Sequence, residues 1–160
     1  MSRPLRIGSL TLLLLLLATL ALGACGGNSN DVDEKNAYVR ELNAAQSEFA
    51  RSADDISKQR VPDEVPAKIR LVQRFAGAID EVVGKLRDIK VPGAVRPEHQ
   101  QLIDVMSGFR ADVGKLTQTY RSGDRDKVDA AVSAFTAARA QVGARVDAAI
   151  AAINSKLAAS

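Results

Sequence analysis

The chain has 160 residues, enough for one domain of ordinary size, and its single cysteine excludes an internal disulfide framework. Its formal net charge is +3, but Arg3 and Arg6 lie in the first segment, so 20 basic residues face 19 acidic ones from Cys25 onward. That later part has no run of Lys and Arg with interleaved aromatic residues. The composition therefore gives no indication of nucleic-acid binding.

The first 24 residues have the layout of a secretory signal. Arg3 and Arg6 are followed by a nearly uninterrupted apolar run from Ile7 to Leu22. A basic start and an apolar stretch of roughly 15 residues are typical of a signal peptide, and a spanning helix needs ~20 residues. We therefore predict that residues 1–24 are a cleaved signal peptide.

The apolar run ends in Leu22-Gly23-Ala24-Cys25, which resembles the lipobox of bacterial lipoproteins. The resemblance implies that Leu22, Gly23 and Ala24 are recognised by a dedicated peptidase that cuts before Cys25. It also implies that a diacylglyceryl group is attached to the Cys25 sulfur, which gives the chain a membrane as its partner. The chain would then be anchored to the cell membrane or outer envelope on the extracytoplasmic side. The alternatives are an incidental cysteine in an ordinary signal peptide cut before Ala24, or an uncleaved anchor.

Beyond Cys25 the sequence predicts a short spacer and then four helices. Residues 25–30 are small and polar, typical of a tether, and residues 31–160 carry a helical pattern. Asp31 and Glu34 have the spacing of a capping box for a first helix over 31–58. Prolines and a Gly-Asp pair give the remaining boundaries: a second helix over 66–89, a third over 97–120, and a fourth that follows Gly123 with Asp124 as its N-cap.

Each predicted helix has an apolar stripe at steps of three and four residues, and no segment alternates apolar and polar residues as a strand would. The sequence therefore predicts an all-α fold, an antiparallel up-down four-helix bundle. Glycines in the middle of three helices, Gly84, Gly114 and Gly143, are candidates for close approach between helices. The stripe residues are Tyr38, Leu42, Ala45, Phe49 and Ile56; Val72, Phe75, Ile79, Val82, Leu86 and Ile89; Leu102, Met106, Phe109, Val113, Leu116 and Tyr120; and Val128, Val132, Phe135, Val142, Val146, Ile150, Ile153 and Leu157.

Candidate catalytic groups are few. His99 is the only histidine, and a single imidazole with no available thiol cannot complete a tetrahedral zinc site. The sequence has no nucleophile elbow and no phosphate-binding glycine loop. Adjacent acids such as Asp54-Asp55, Asp63-Glu64 and Asp80-Glu81 point to different faces of a helix. We therefore predict a structural or solvated role for His99, no enzymatic activity, no cofactor and no bound metal.

The fourth helix has the most unusual surface. Residues 130–160 hold only four charges alongside many alanines. One interpretation is that these alanines only favour helix formation on an exposed face. The other is that they form a docking surface for a protein partner or a second copy of the chain. We therefore expect a non-enzymatic binding or scaffolding module, with a carrier or sensor of a small apolar ligand as the alternative. The residues of the candidate partner face are Ala130, Ala134, Ala137, Ala144 and Ala148.

Overall fold

The computed structural model describes residues 29–160, so the predicted signal peptide and Leu22-Gly23-Ala24-Cys25 lie outside the described residues. The described part of the chain contains no strand, and its helices pack against one another as the predicted all-α bundle. A 3₁₀ turn, Gly93–Val95, lies in the second connection. The four helices are α1 (Ser29–Ser57), α2 (Val65–Asp88), α3 (Arg96–Ser122) and α4 (Arg125–Ala159).

The predicted boundaries of α2, α3 and α4 agree with the structure to within two residues. Pro66 and Pro97 occupy the first turns of α2 and α3, where a missing N–H costs no helical hydrogen bond. Gly123 has φ of 70° and ends α3, a left-handed conformation that glycine adopts without steric penalty. Asp124 is the N-cap of α4, and its side chain accepts a hydrogen bond from the Lys127 backbone N–H at 3.2 Å.

The start of α1 differs from the prediction. The helix is already formed at Ser29, the first described residue, so Ser29 and Asn30 are helical, whereas the sequence predicts them in the tether. Asp31 consequently lies inside the first turn and does not act as the N-cap of a capping box. Its carboxylate accepts from Lys35 Nζ at 3.0 Å, one turn further along the helix. A negative charge in this turn still favours the helix, because the N-terminal end of the helix dipole is positive.

The helices run up and down in chain order, and each packs against the next. The first predicted stripe supplies Tyr38 and Leu42 to the core, and the later stripes supply residues such as Ile79, Val113 and Ile153, which are fully shielded from solvent. Ion pairs cross between neighbouring helices: Glu48 with Lys85, Asp80 with Arg110, and Glu98 with Lys156.

Four phenylalanines, one from each helix, pack together in the half of the bundle away from the start of α1. The rings of Phe109 and Phe135 are stacked with centroids 5.7 Å apart, and Phe75 meets Phe109 edge-on at 5.7 Å. Phe49 completes the group through Phe75, at 6.3 Å. These pairs join α1, α2, α3 and α4 in one aromatic cluster, and the Phe75–Phe109 and Phe109–Phe135 pairs have geometries that the ring quadrupoles favour.

The expectation that mid-helix glycines bring helices close together is wrong for two of the three. A Cβ at Gly84 would meet no other atom within 4 Å, and one at Gly114 would touch only the end of the Arg110 side chain at 3.6 Å. Both glycines lie beside the apolar stripe of their helix, where no neighbouring backbone approaches. Gly143 is buried on α4.

Candidate functional site

The single histidine lies at the end of the bundle where α1 begins, α2 ends and α3 begins. His99 is only 3% exposed, and both of its ring nitrogens have partners. Nε2 lies 2.8 Å from the Leu86 carbonyl oxygen on α2, and Nδ1 lies 3.0 Å from the Tyr38 hydroxyl on α1. The His99 ring on α3 therefore links α1 and α2 to α3, which agrees with the structural one of its two predicted roles.

The carbonyl partner of Nε2 sets the direction of both hydrogen bonds in the neutral ring. A carbonyl oxygen only accepts, so Nε2 carries a hydrogen and donates it to Leu86. In the neutral ring Nδ1 is then an acceptor, and Tyr38 donates its hydroxyl hydrogen to it. Burial raises the pKa of Tyr38 well above its ordinary value, and the negative charge of Glu98 raises it further. The Tyr38 hydroxyl is therefore kept as a donor.

The contact with Leu86 also caps α2. Leu86 lies in the last turn of this helix, where carbonyls have no partner one turn ahead. Ile89 leaves the helix in an extended conformation, which ends the helical hydrogen-bond series. His99 supplies the missing donor from another helix and so satisfies a buried carbonyl that would otherwise cost free energy.

Beside the histidine, Glu98 links α3 to the end of α4. Its Oε1 accepts from Lys156 Nζ at 2.7 Å, and its side chain is only 14% exposed. The pKa of Glu98 is lowered, chiefly by the hydrogen bond from Lys156 and then by a backbone N–H. The second oxygen, Oε2, is buried without a hydrogen-bond partner among residues 29–160.

A groove open to solvent lies next to this network, between the end of α2 and the start of α3. Its volume is about 470 Å³. Three cationic side chains line it, those of Arg87, Lys90 and Arg96, together with the carboxylate of Glu34. Lys90 Nζ lies 3.8 Å from Glu34 Oε2, and the Lys90 side chain remains 84% exposed. His99 forms part of the wall, so the groove adjoins the buried network directly.

The predicted partner face on α4 is exposed along its length. The charge-free line continues through Gln141, Ala151 and Ser155, which are also exposed. The opposite side of α4 buries Ala149, Ile153 and Leu157. The five predicted residues, all exposed, are Ala130, Ala134, Ala137, Ala144 and Ala148.

Three of the six acids in the adjacent pairs Asp54-Asp55, Asp63-Glu64 and Asp80-Glu81 contact separate bases. Asp80 accepts from Arg110 Nε at 2.8 Å on α3, whereas Glu81 contacts Lys85 of its own helix at 3.3 Å. Asp54 pairs with Lys58, one turn ahead. Among the described residues, no three or more His, Cys, Asp or Glu side chains lie close enough together to hold a metal ion.

Sequence reasoning missed the partnership of Tyr38 and His99 and the cationic groove. Tyr38 lies on the apolar stripe of α1, and His99 lies one turn before Leu102 on that of α3. A polar-tipped residue on such a stripe is the available signal that a buried partner is needed. Between residues 29 and 160, no helix combines the length and apolar character required to cross a bilayer. Comparison with protein-family models, with curated proteins and with solved structures finds no match for this chain.

Proposed function

We propose that this chain is an exported lipoprotein, cut before Cys25 and held on the extracytoplasmic side of a membrane by lipid on the Cys25 sulfur. One juxtaposition carries the proposal: Leu22-Gly23-Ala24-Cys25 ends an apolar run and stands four residues before the first helix of the bundle, at Ser29. A bundle that starts immediately after a processing site is the arrangement expected of an anchored domain. Lipid chains supply about 0.8 kcal/mol for each buried methylene, so two or more chains hold the protein stably.

The anchor is tested on the mature product. We expect mass spectrometry to find an N-terminal Cys25 carrying a diacylglyceryl group, and the protein to fractionate with membranes. Cys25→Ala should abolish the modification, and Cys25→Ala protein from which the signal peptide has been removed should no longer fractionate with membranes. An unmodified Cys25 thiol, or a Cys25→Ala protein that still fractionates with membranes after processing, would contradict the proposal.

We further propose that the bundle itself is a non-enzymatic binding or scaffolding module. The support comes from His99, the residue best suited to acid–base chemistry, whose two nitrogens are occupied by Tyr38 and Leu86. The apolar-carrier alternative requires an interior cavity. Ile79, Val113 and Ile153 in the core are fully shielded, and the groove of about 470 Å³ is an open surface feature with a charged lining. These observations favour the module.

The partner surface of that module is proposed on α4. Ala130 to Ala148 extend over about 27 Å of helix, and a charge placed among them would be desolvated on docking. Ala137→Glu and Ala148→Glu should therefore remove species that cross-link to the anchored protein in intact cells, and helicity and melting temperature should stay unchanged.

Ala111→Glu is the matched control, because Ala111 is exposed on α3 and outside the proposed surface. If Ala111→Glu removes the same cross-linked species, or if both α4 variants retain them, the surface on α4 is not the contact. Extractable lipid or pigment that copurifies with the protein in stoichiometric amount would instead favour the carrier.

A further inference from the structure

We propose that the groove between α2 and α3 binds the phosphate of anionic phospholipid headgroups, in the same membrane that holds Cys25, and that this contact orients the bundle on the bilayer. The inference rests on the proposed lipid anchor. Its structural basis is the convergence of Arg87, Lys90 and Arg96 on one open groove at the end of the bundle where α1 begins.

The charges of the groove favour an anion. Three cations and one carboxylate, that of Glu34, line it, which leaves a local excess of two positive charges. Neither Arg87 nor Arg96 forms an ion pair with any carboxylate of residues 29–160, and both side chains are exposed. Guanidinium groups match phosphate oxygens in paired hydrogen bonds.

Two acids at this end of the bundle are paired elsewhere, whereas Asp88, next to Arg87 in the chain, forms no ion pair within residues 29–160 but does not line the groove. Glu98, in the first turn of α3, is held by Lys156, and Asp31 pairs with Lys35. Glu34 lies 3.8 Å from the ammonium of Lys90, so this carboxylate offsets one of the three cations. The two arginines remain as the unmatched charges, and they flank the groove from the two helices that form it.

The length of the connection places the groove near a bilayer surface. Four peptide units separate Cys25 from Ser29, and they can span at most about 14 Å. Glu34, on the rim of the groove, lies about 7 Å further along α1. A bundle tethered this closely brings its basic rim to the headgroups with a modest tilt. A membrane supplies about 1 kcal/mol for each basic residue near an anionic surface, so two arginines suffice to bias the orientation.

The test places a reporter in the groove. The chain has no tryptophan, and a side chain added at Gly93 would meet no other atom within 4 Å. We would reconstitute the mature lipidated Gly93→Trp protein into phosphatidylcholine vesicles that contain about a third of either brominated phosphatidylglycerol or brominated phosphatidylcholine, so that anionic and neutral vesicles carry the same quencher. Lipid bromine quenches tryptophan at the bilayer surface, so the fraction quenched measures docking of the groove. We expect strong quenching only in the anionic vesicles.

Charge variants then identify the residues. Arg87→Gln and Arg96→Gln should each lower the ratio of docked to undocked protein roughly fivefold, the equivalent of about 1 kcal/mol for each charge. Arg121→Gln with Arg125→Gln is the matched control, since it removes two exposed charges at the opposite end of the bundle. The control should leave quenching unchanged. An equal loss in the control pair, or equal quenching by brominated lipid in neutral vesicles, would overturn the proposal.

Two further measurements separate the sources of failure. Protein that remains behind when neutral vesicles are floated lacks the lipid anchor, and that result overturns both the anchor and the groove proposals. Protein that floats with both kinds of vesicle, while quenching is indifferent to vesicle charge, overturns the groove proposal alone. Millimolar inorganic phosphate at matched ionic strength should leave quenching intact. If it releases the reporter, a free phosphate is the preferred occupant and the headgroup assignment is wrong.

Discussion

The Tyr38 hydroxyl on α1 donates to Nδ1 of His99 on α3 at 3.0 Å, and 61 positions separate the two residues along the chain. The two rings also meet edge-on, with centroids 5.6 Å apart. This pair, with the Leu86 carbonyl, gives the bundle a polar connection between three helices inside a largely apolar core. The energetics of the connection are open to direct test.

Tyr38→Phe should destabilise the bundle by about 1–3 kcal/mol. The substitution keeps the ring and removes the hydroxyl, so Nδ1 of His99 loses its partner in a buried setting. Chemical denaturation gives the free energy of unfolding. Tyr120→Phe is the control, because the Tyr120 hydroxyl makes no hydrogen bond within residues 29–160, and we expect a change below about 0.5 kcal/mol. Equal losses in the two variants would show that the Tyr38 hydrogen bond has no special role.

A double-mutant cycle should show that Tyr38 and His99 act as a pair. His99→Phe leaves both the Tyr38 hydroxyl and the Leu86 carbonyl without their partner, and we expect a loss of about 2–4 kcal/mol. Adding Tyr38→Phe to that variant should cost little, since the hydroxyl no longer has an acceptor. The coupling energy between the two substitutions should therefore exceed about 1 kcal/mol. Additive losses would contradict this account.

Acid should weaken the attachment of α4 through Glu98. The pKa of Glu98 is lower in the folded protein than its ordinary value, because Lys156 and a backbone N–H hydrogen-bond its charged form. A carboxyl of this kind adds stability above its unfolded pKa, and that stability is lost as the pH falls through the folded pKa. The denaturant concentration at the midpoint of unfolding should therefore decrease as the pH is lowered below about 4.5. Glu98→Gln should make this decrease with pH less steep.

Glu41→Gln is the matched control for this pH dependence. Glu41 is an exposed carboxyl on α1, and it forms no ion pair within the described part of the chain. The substitution of Glu41 should not change how steeply the midpoint of unfolding decreases in acid. Asp124 also has a lowered pKa, through its hydrogen bond from Lys127, so part of the slope should persist in Glu98→Gln. An unchanged slope in Glu98→Gln would refute the assignment.

Gly84→Ala and Gly114→Ala should each stabilise the protein by about 0.5–1 kcal/mol. Both positions are helical, and an added methyl group has space or meets only the flexible end of Arg110. Gly123→Ala provides the contrast, because φ of 70° at the end of α3 disfavours any residue with a Cβ and should make that variant less stable. Thermal denaturation should show a higher melting temperature for Gly84→Ala and Gly114→Ala and a lower one for Gly123→Ala. A loss of stability in Gly84→Ala would show that α2 and its neighbours approach more closely than the structure indicates.

The helices and most of their boundaries could be predicted, because spacing at three and four residues, Pro66, Pro97 and Gly123 each act through local backbone physics. The partnership of Tyr38 with His99 could not. Periodicity assigns each residue to a buried face, but the register between helices decides which side chains meet, and that depends on packing along the whole interface. The same limit explains why the sequence offers Gly84 only as a candidate for close approach, which the structure does not bear out.

The α1 N-terminus shows a different limit. Ser29 and Asn30 favour caps and turns, so the sequence predicts them in the tether, yet both are helical. Helix propensity differs by less than about 1 kcal/mol between most residues, and neighbouring turns override it. The groove was missed for a related reason. The sequence shows no basic cluster at this point, because the three bases are separated by other residues. The turn between α2 and α3 brings them to one groove: Arg87, Lys90 and Arg96.

The position of His99 has a consequence for how the molecule matures. Tyr38 on α1 is synthesised early, but its hydrogen-bond acceptor, His99, is synthesised only with α3. In an α1–α2 hairpin without α3, the Tyr38 hydroxyl has no buried acceptor and must stay hydrogen-bonded to water. The first two helices therefore cannot reach their final packing before α3 is present. Truncated forms that stop before residue 99 should therefore expose apolar surface and aggregate, and fragments made to map a binding partner need to extend through α3.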